Sequence, residues 1–182
     1  MNTTSTLWYN SPAKAWTQSL PIGNGTLGAM VFGSPSHERL ALNHDELWTG
    51  RPKDTVREGA PEVFDKARSL ALEGKLYEAE ELIEQDFLSV WSQAYMPLGD
   101  LELEFSLKGR VKDYRRRLDL EKAVAAVEFT CGQKKYKREY FASYPAKAIG
   151  AKLTCEGGTM DFSVSLTSKL RSNNSIDGGI LY

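Results

Sequence analysis

Leu101-Glu102-Leu103-Glu104-Phe105-Ser106-Leu107 alternates apolar and polar residues without interruption, and this stretch decides the fold class. Successive side chains of an extended chain leave opposite faces, so a period of two marks a strand buried on one side and wet on the other. The pattern continues downstream, with strands expected over residues 114–120, 123–131, 135–141, 148–155 and 160–167. In the last of these Met160, Phe162, Val164 and Leu166 alternate with Asp161, Ser163 and Ser165. Strands recurring at roughly 10–12 residues through short turns specify an antiparallel sandwich or barrel. No alternation of strands with helices, internal repeat or low-complexity linker breaks the series, so the fold class is mainly β.

Upstream of that stretch the period changes. Over residues 60–88, Val63, Ala67 and Leu70 recur at helical spacing, Pro61 suits a first turn, and Gly74 sits where a C-terminal cap belongs. Leu76, Ala79, Ile83 and Phe87 then mark a second amphipathic helix, with Glu78, Glu80, Glu81 and Glu84 on its other face. The two make an inserted αα-hairpin. Further upstream, residues 27–32 and 38–43 read as a hairpin around Ser34-Pro35-Ser36.

Gly23-Asn24-Gly25-Thr26-Leu27-Gly28 satisfies the spacing of a dinucleotide-binding loop. That chemistry needs glycines that leave a buried strand and open a helix, whose N-terminus then faces the pyrophosphate. Here Pro21 precedes and Ala29-Met30-Val31-Phe32-Gly33 continues as strand. The kinase version lacks its Val-Ala-Ile-Lys and His-Arg-Asp elements. The glycines therefore read as a tight bend with positive φ.

Leu42-Asn43-His44-Asp45-Glu46-Leu47-Trp48-Thr49-Gly50 is the candidate for ligand contact. Trp48 offers a flat face to a sugar, and Asn43, Asp45 and Glu46 offer hydrogen bonds to hydroxyls or to a neighbouring domain. The competing reading has Leu42, Leu47 and Trp48 anchored in the core while the polar residues cap a turn. Asp45 and Glu46 make a poor catalytic pair. Glycosidase carboxylates converge on one bond from roughly 5–9.5 Å apart, whereas neighbours in a strand point to opposite faces.

Composition narrows the partners. The 182 residues carry 23 Lys+Arg against 24 Asp+Glu, a formal charge of −1, with 41% hydrophobic and 26% charged residues. That balance gives no electrostatic footprint for nucleic acid or an acidic membrane, and no apolar run has the length of a membrane span. Met1-Asn2-Thr3-Thr4-Ser5-Thr6 lacks the basic and apolar regions of a secretory signal, so the chain reads as cytoplasmic. A secreted protein with its signal removed would read the same. Cys131 and Cys155 share parity with buried-face residues and read as buried thiols rather than nucleophiles or zinc ligands. His37 and His44 lack a metal-ligand pattern. Arg115-Arg116-Arg117 and Lys134-Lys135 with Lys137-Arg138 read as solvated faces. Trp16 and Trp91 lie in irregular segments, to pack a loop or to line a domain interface. Ile180-Leu181-Tyr182 starts what looks like a further strand, so the chain is expected to be a piece of a longer protein; a short terminal edge strand is the alternative.

Several of these stretches together resemble the N-terminal domain of glycoside hydrolase family 95, the α-L-fucosidase family. The resemblance is carried by Leu20-Pro21-Ile22-Gly23-Asn24-Gly25-Thr26-Leu27-Gly28-Ala29-Met30-Val31-Phe32-Gly33 and by residues 42–50. It extends through Glu73-Gly74-Lys75-Leu76-Tyr77-Glu78-Ala79-Glu80 and Tyr95-Met96-Pro97-Leu98-Gly99-Asp100-Leu101. Tyr114-Arg115-Arg116-Arg117-Leu118-Asp119-Leu120 and Arg138-Glu139-Tyr140-Phe141-Ala142-Ser143 complete it. His44 departs from the acidic residue usual there. The resemblance implies an antiparallel β-super-sandwich over residues 1–182, incomplete at its C-terminus, with the helical insertion at 60–88. It implies a longer parent with a linker, an (α/α)6 barrel and a further β-domain, hydrolysing terminal α-L-fucosides with inversion and without a cofactor or metal. The glutamate acid and the asparagines and aspartate that handle water belong to that barrel. No catalytic residue is therefore expected here, and the expected partners are the barrel and, for the parent, a fucosylated glycan. A non-catalytic carbohydrate-binding module is the alternative.

Overall fold

A computed structural model describes residues 5–51, 53–89 and 93–182. The chain divides into two compact units, Met1–Leu47 with Pro97–Tyr182, and Trp48–Met96.

The first unit is built of antiparallel strands, as the period of two requires. Its strands are β1 (Thr6–Tyr9), β2 (Leu20–Gly23), β3 (Leu27–Val31), β4 (His37–His44), β5 (Gly99–Phe105), β6 (Val111–Asp119), β7 (Val124–Cys131), β8 (Lys134–Ser143), β9 (Ala148–Glu156) and β10 (Phe162–Thr167). They form one sheet in the order β1-β6-β7-β8-β9 and a second in the order β10-β5-β4-β3-β2. A two-residue hairpin of β11 (Ile176–Asp177) and β12 (Ile180–Leu181) turns through Gly178-Gly179. Most strands start or stop within a few residues of the positions predicted from periodicity. β1, β2 and a 3₁₀ turn at Trp16–Gln18 are additions, in a region that reads only as short apolar segments.

The core lies where the two inner faces meet. Leu20, Ile22, Ala29, Val31, Leu40, Leu103 and Phe105 pack from the second sheet, and Leu118, Ala125, Val127, Phe129, Tyr136 and Tyr140 from the first. Cys131 is buried with them, whereas Cys155 is only partly covered, with its Sγ directed at the carbonyls of Glu156 and Thr159. Neither basic cluster stays wholly in solvent. Arg116 is 3% exposed and Arg138 is fully buried. Parity explains the correction: Arg138 alternates in phase with Tyr136 and Tyr140, so β8 carries it inward between them. Arg116 donates to the carbonyls of Ser11 (2.8 Å) and Gln18 (2.7 Å) and lies 4.3 Å over the Tyr9 ring. Arg117, on the opposite parity, pairs outward with Glu128 at 2.9 Å.

In the second unit, α1 (Ala60–Leu72) begins at Pro61 in its first turn and ends on Gly74, whose φ of 79° is open to glycine. The Gly74 N–H donates to Ala71 and the Lys75 N–H to Leu70, closing a Schellman cap. α2 (Leu76–Leu82) widens into a π-helical turn at Ile83–Phe87, which brings Phe87 within 6.0 Å of the Phe64 ring. The expected second helix is thus interrupted, and Leu76, placed on its apolar face by spacing, is 68% exposed. Among the described residues, the side chains buried in this unit are Ala60, Ala67 and Ala79.

Candidate functional site

The glycine-rich bend joins β2 to β3, two antiparallel neighbours with Gly23 opposite Gly28. No helix follows it, so it is no phosphate cradle. Asn24 shapes it: Oδ1 accepts from the N–H groups of Thr26 (3.1 Å) and Leu27 (2.8 Å), while Nδ2 donates to the Ser143 carbonyl (2.9 Å). Gly25 follows at φ 96°, which a side chain would resist. The Asn24 amide thus ties the bend to the β8–β9 turn of the other sheet.

The second predicted segment meets the first here. Gly28 pairs with Asn43 and Leu27 with His44, and the chain then leaves the sheet. Asp45 and Glu46 form a turn rather than continuing the strand, and a turn is where the competing reading put the polar residues. The turn is held by Asp45 N–H to Thr26 O (3.1 Å), Leu47 N–H to His44 O (3.2 Å) and Glu46 N–H to His44 Nδ1 (3.2 Å). The same Nδ1 lies 3.4 Å from Asp45 Oδ1. Both carboxylates are exposed and successive in one turn, and they do not converge across a space for a scissile bond.

Asn24, Thr26, Leu27, His44, Glu46 and Lys147 line a cleft of about 310 Å³ at this end of the sandwich. Lys147 comes from the β8–β9 turn at φ 47° and carries no sequence signal of its own. Asn43 stands one residue inside the lining, and Asp45 one residue along the turn.

Trp48 belongs to the second unit, not to this cleft. It bridges to Tyr95 as an isolated antiparallel pair, the rings meeting edge to face at 4.9 Å and 65°, and the Thr49 N–H donates to Ala94 O at 3.0 Å. At 47% exposed it is not the buried core anchor of the competing reading. Trp16 is 59% exposed, and Trp91 lies outside the described residues.

The group that sequence reasoning missed sits between the sheets. Glu38 and Arg138 are both fully buried, 3.5 Å apart. Glu38 accepts from Gly33 N–H (2.6 Å), Arg39 N–H (3.1 Å) and Tyr140 O–H (3.1 Å), and Arg138 donates to the carbonyls of Ser34 (2.8 Å) and Pro35. Arg138 also lies 3.7 Å over Phe105 and 5.2 Å from Phe129. Burial pushes the Glu38 carboxyl up from its ordinary range, with Arg138 and its donors pulling back. Burial likewise pushes the phenols of Tyr114 and Tyr140 up. Closed off from solvent, this network fastens the Gly33-Ser34-Pro35 turn of one sheet to β8 of the other. Among the described residues no group of three or more His, Cys, Asp and Glu side chains is placed to hold a metal ion.

Residues 7–181 match the family model described as "Glycosyl hydrolase family 65, N-terminal domain". The chain is similar to "Alpha-L-fucosidase 2" of Arabidopsis thaliana, 39% identical over 173 residues that cover 92% of this chain and 20% of that protein. It is similar to "Probable alpha-fucosidase A" of Aspergillus oryzae, 32% identical over 161 residues, 83% of this chain and 22% of that protein. The protein of the same description from Aspergillus niger is 30% identical over 173 residues, 91% of this chain and 22% of its own length. The chain spans about a fifth of the length of the curated relatives it matches. The fucosidase resemblance read from the motifs is borne out, and the chain belongs to the family of glycosyl hydrolase family 65 N-terminal domains, with α-L-fucosidases among its relatives.

Proposed function

We propose that this chain is the N-terminal sandwich of a longer glycoside hydrolase that removes terminal α-L-fucosyl groups with inversion. Within it the sandwich acts as a scaffold beside a catalytic (α/α)6 barrel and hydrolyses nothing by itself. The observation that carries the reading is the 39% identity to a protein described as an α-L-fucosidase, over 92% of this chain and only 20% of that relative. The carboxylates support it. Glu38 is locked between the sheets, Asp100 is paired with Arg39 at 2.9 Å, and Asp45 and Glu46 share one exposed turn.

The test is an assay of the 182-residue chain on an aryl α-L-fucoside, beside a longer protein that continues past Tyr182 into the barrel. The chain should release no aglycone above background, and the longer protein should release fucose, first as the inverted anomer by NMR. Turnover by the chain alone overturns the scaffold role. An inactive longer protein, or retention of configuration, overturns the parent's assignment.

A further inference from the structure

The cleft between the glycine bend, the 45–46 turn and the β8–β9 turn has a composition that a purely structural role leaves unexplained. Its walls are fixed from the backbone. Asn24 spends both side-chain atoms on Thr26, Leu27 and Ser143, and the Asp45 N–H clamps the facing turn to Thr26. The side chains of Thr26, Glu46 and Lys147 line the opening and form no hydrogen bond or ion pair with any described residue. Glu46 and Lys147 carry opposite charges and line one cleft.

We infer that this cleft is a binding subsite for a single neutral sugar. A hydroxyl is both donor and acceptor, so a diol can donate to the Glu46 carboxylate and accept from the Lys147 ammonium at once. A simple anion would meet Glu46 and a simple cation Lys147, and each is disfavoured by that like charge. The Thr26 hydroxyl adds a further polar contact, and Leu27 an apolar wall for a C–H face. The volume of about 310 Å³ lies at the lower end for ligand pockets, which fits one ring and not a chain of them. Loops gathered at one end of a sandwich, and held by the sheets behind them, are a usual place for recognition. The inference rests on the residues of this cleft alone and stands apart from the fucoside-hydrolysis assignment.

Amide NMR of the 182-residue chain, titrated separately with L-fucose, D-galactose and D-glucose, tests it. At least one sugar should give saturable shifts at Thr26, Glu46 and Lys147, with a Kd of roughly millimolar order for so few contacts. Glu46→Gln and Lys147→Met change exposed side chains, and an unaltered spectrum elsewhere confirms that each still folds. Each should weaken binding about tenfold, the size of one charged hydrogen bond. Three results would overturn the subsite: no saturable shift with any sugar, affinity unchanged in both variants, or tighter binding of inorganic phosphate or glycine at the same amides.

Discussion

In the sandwich the fully buried side chains include large ones, Arg138, Tyr140, Leu20, Leu40 and Glu38. Among the described residues of the helical unit the buried side chains are Ala60, Ala67 and Ala79 alone, while Phe64, Leu72, Leu76 and Tyr77 stand 48%, 83%, 68% and 69% exposed. The contacts differ in reach as well. Glu38 and Arg138 are 100 positions apart, whereas the helical pair closes on itself within one short stretch, α1 running into α2 through the Gly74 cap and Phe64 lying beside Phe87. Local contacts are cheap to form and easily opened one turn at a time, while long-range pairs of buried groups bind distant strands into one cooperative unit. The difference teaches that damage should be global in the sandwich and local in the helical unit.

The largest effect should come from Arg138→Ala. It leaves Glu38 buried without its cation, strips the stack from Phe105, and frees the Ser34 and Pro35 carbonyls. Breaking one partner of a buried pair costs about 3–5 kcal/mol, and chemical denaturation should show it as a shifted midpoint with every sheet melting together. A loss under about 1 kcal/mol would mean that the two sheets hold without this fastening, and would remove half of the contrast.

Glu38→Gln sharpens the same point through pH. Burial raises the folded carboxyl above its ordinary value of 4.5, so folding takes up a proton. That contribution is fully present below the ordinary carboxylate range and is lost as pH rises through the raised folded value. The unfolding free energy of the native chain, measured relative to the glutamine variant, should therefore decline as pH climbs past about 4.5. A difference that grows with pH would show that Arg138 and the surrounding donors hold an ion in place of a neutral acid.

The smallest effect should follow Gly74→Ala. A side chain there meets nothing within 4 Å, so the cost is confined to the φ of 79° and amounts to about 1–2 kcal/mol. Hydrogen exchange should quicken over residues 60–87 and stay unchanged in β6, β7 and β8. Faster exchange in those strands as well would erase the distinction between global and local damage.

Much of this was legible in advance because strand parity is a local property. The run from Leu101 fixes which face of β5 is buried, and the same alternation places Tyr136 and Tyr140 inward. Parity places Arg138 inward too, yet a basic residue among lysines reads as solvated until the acid that meets it is known. That acid is on another strand of the other sheet, and period alone cannot join them. The cleft divides the same way. The pairing of Leu27 with His44 follows from the hairpin, but Lys147 reaches the lining through a turn of the opposite sheet. The segment at Asp45 and Glu46 stayed open between two readings, because two polar residues after a strand fit an extended chain as well as a bend.

β4 and β5 lie side by side, with Leu42 paired to Gly99, although the whole of Trp48–Met96 runs between them. The second unit is thus a hairpin connection grown to great length. Each doubling of such a connection adds only about 0.6 kcal/mol of closure entropy. The register of the two strands is set by their own side chains and not by a tight turn. Evolution can therefore rewrite, lengthen or replace the intervening segment while selection on the sheets goes on undisturbed. In descendants of this domain, that connection is where novelty has the least to overcome.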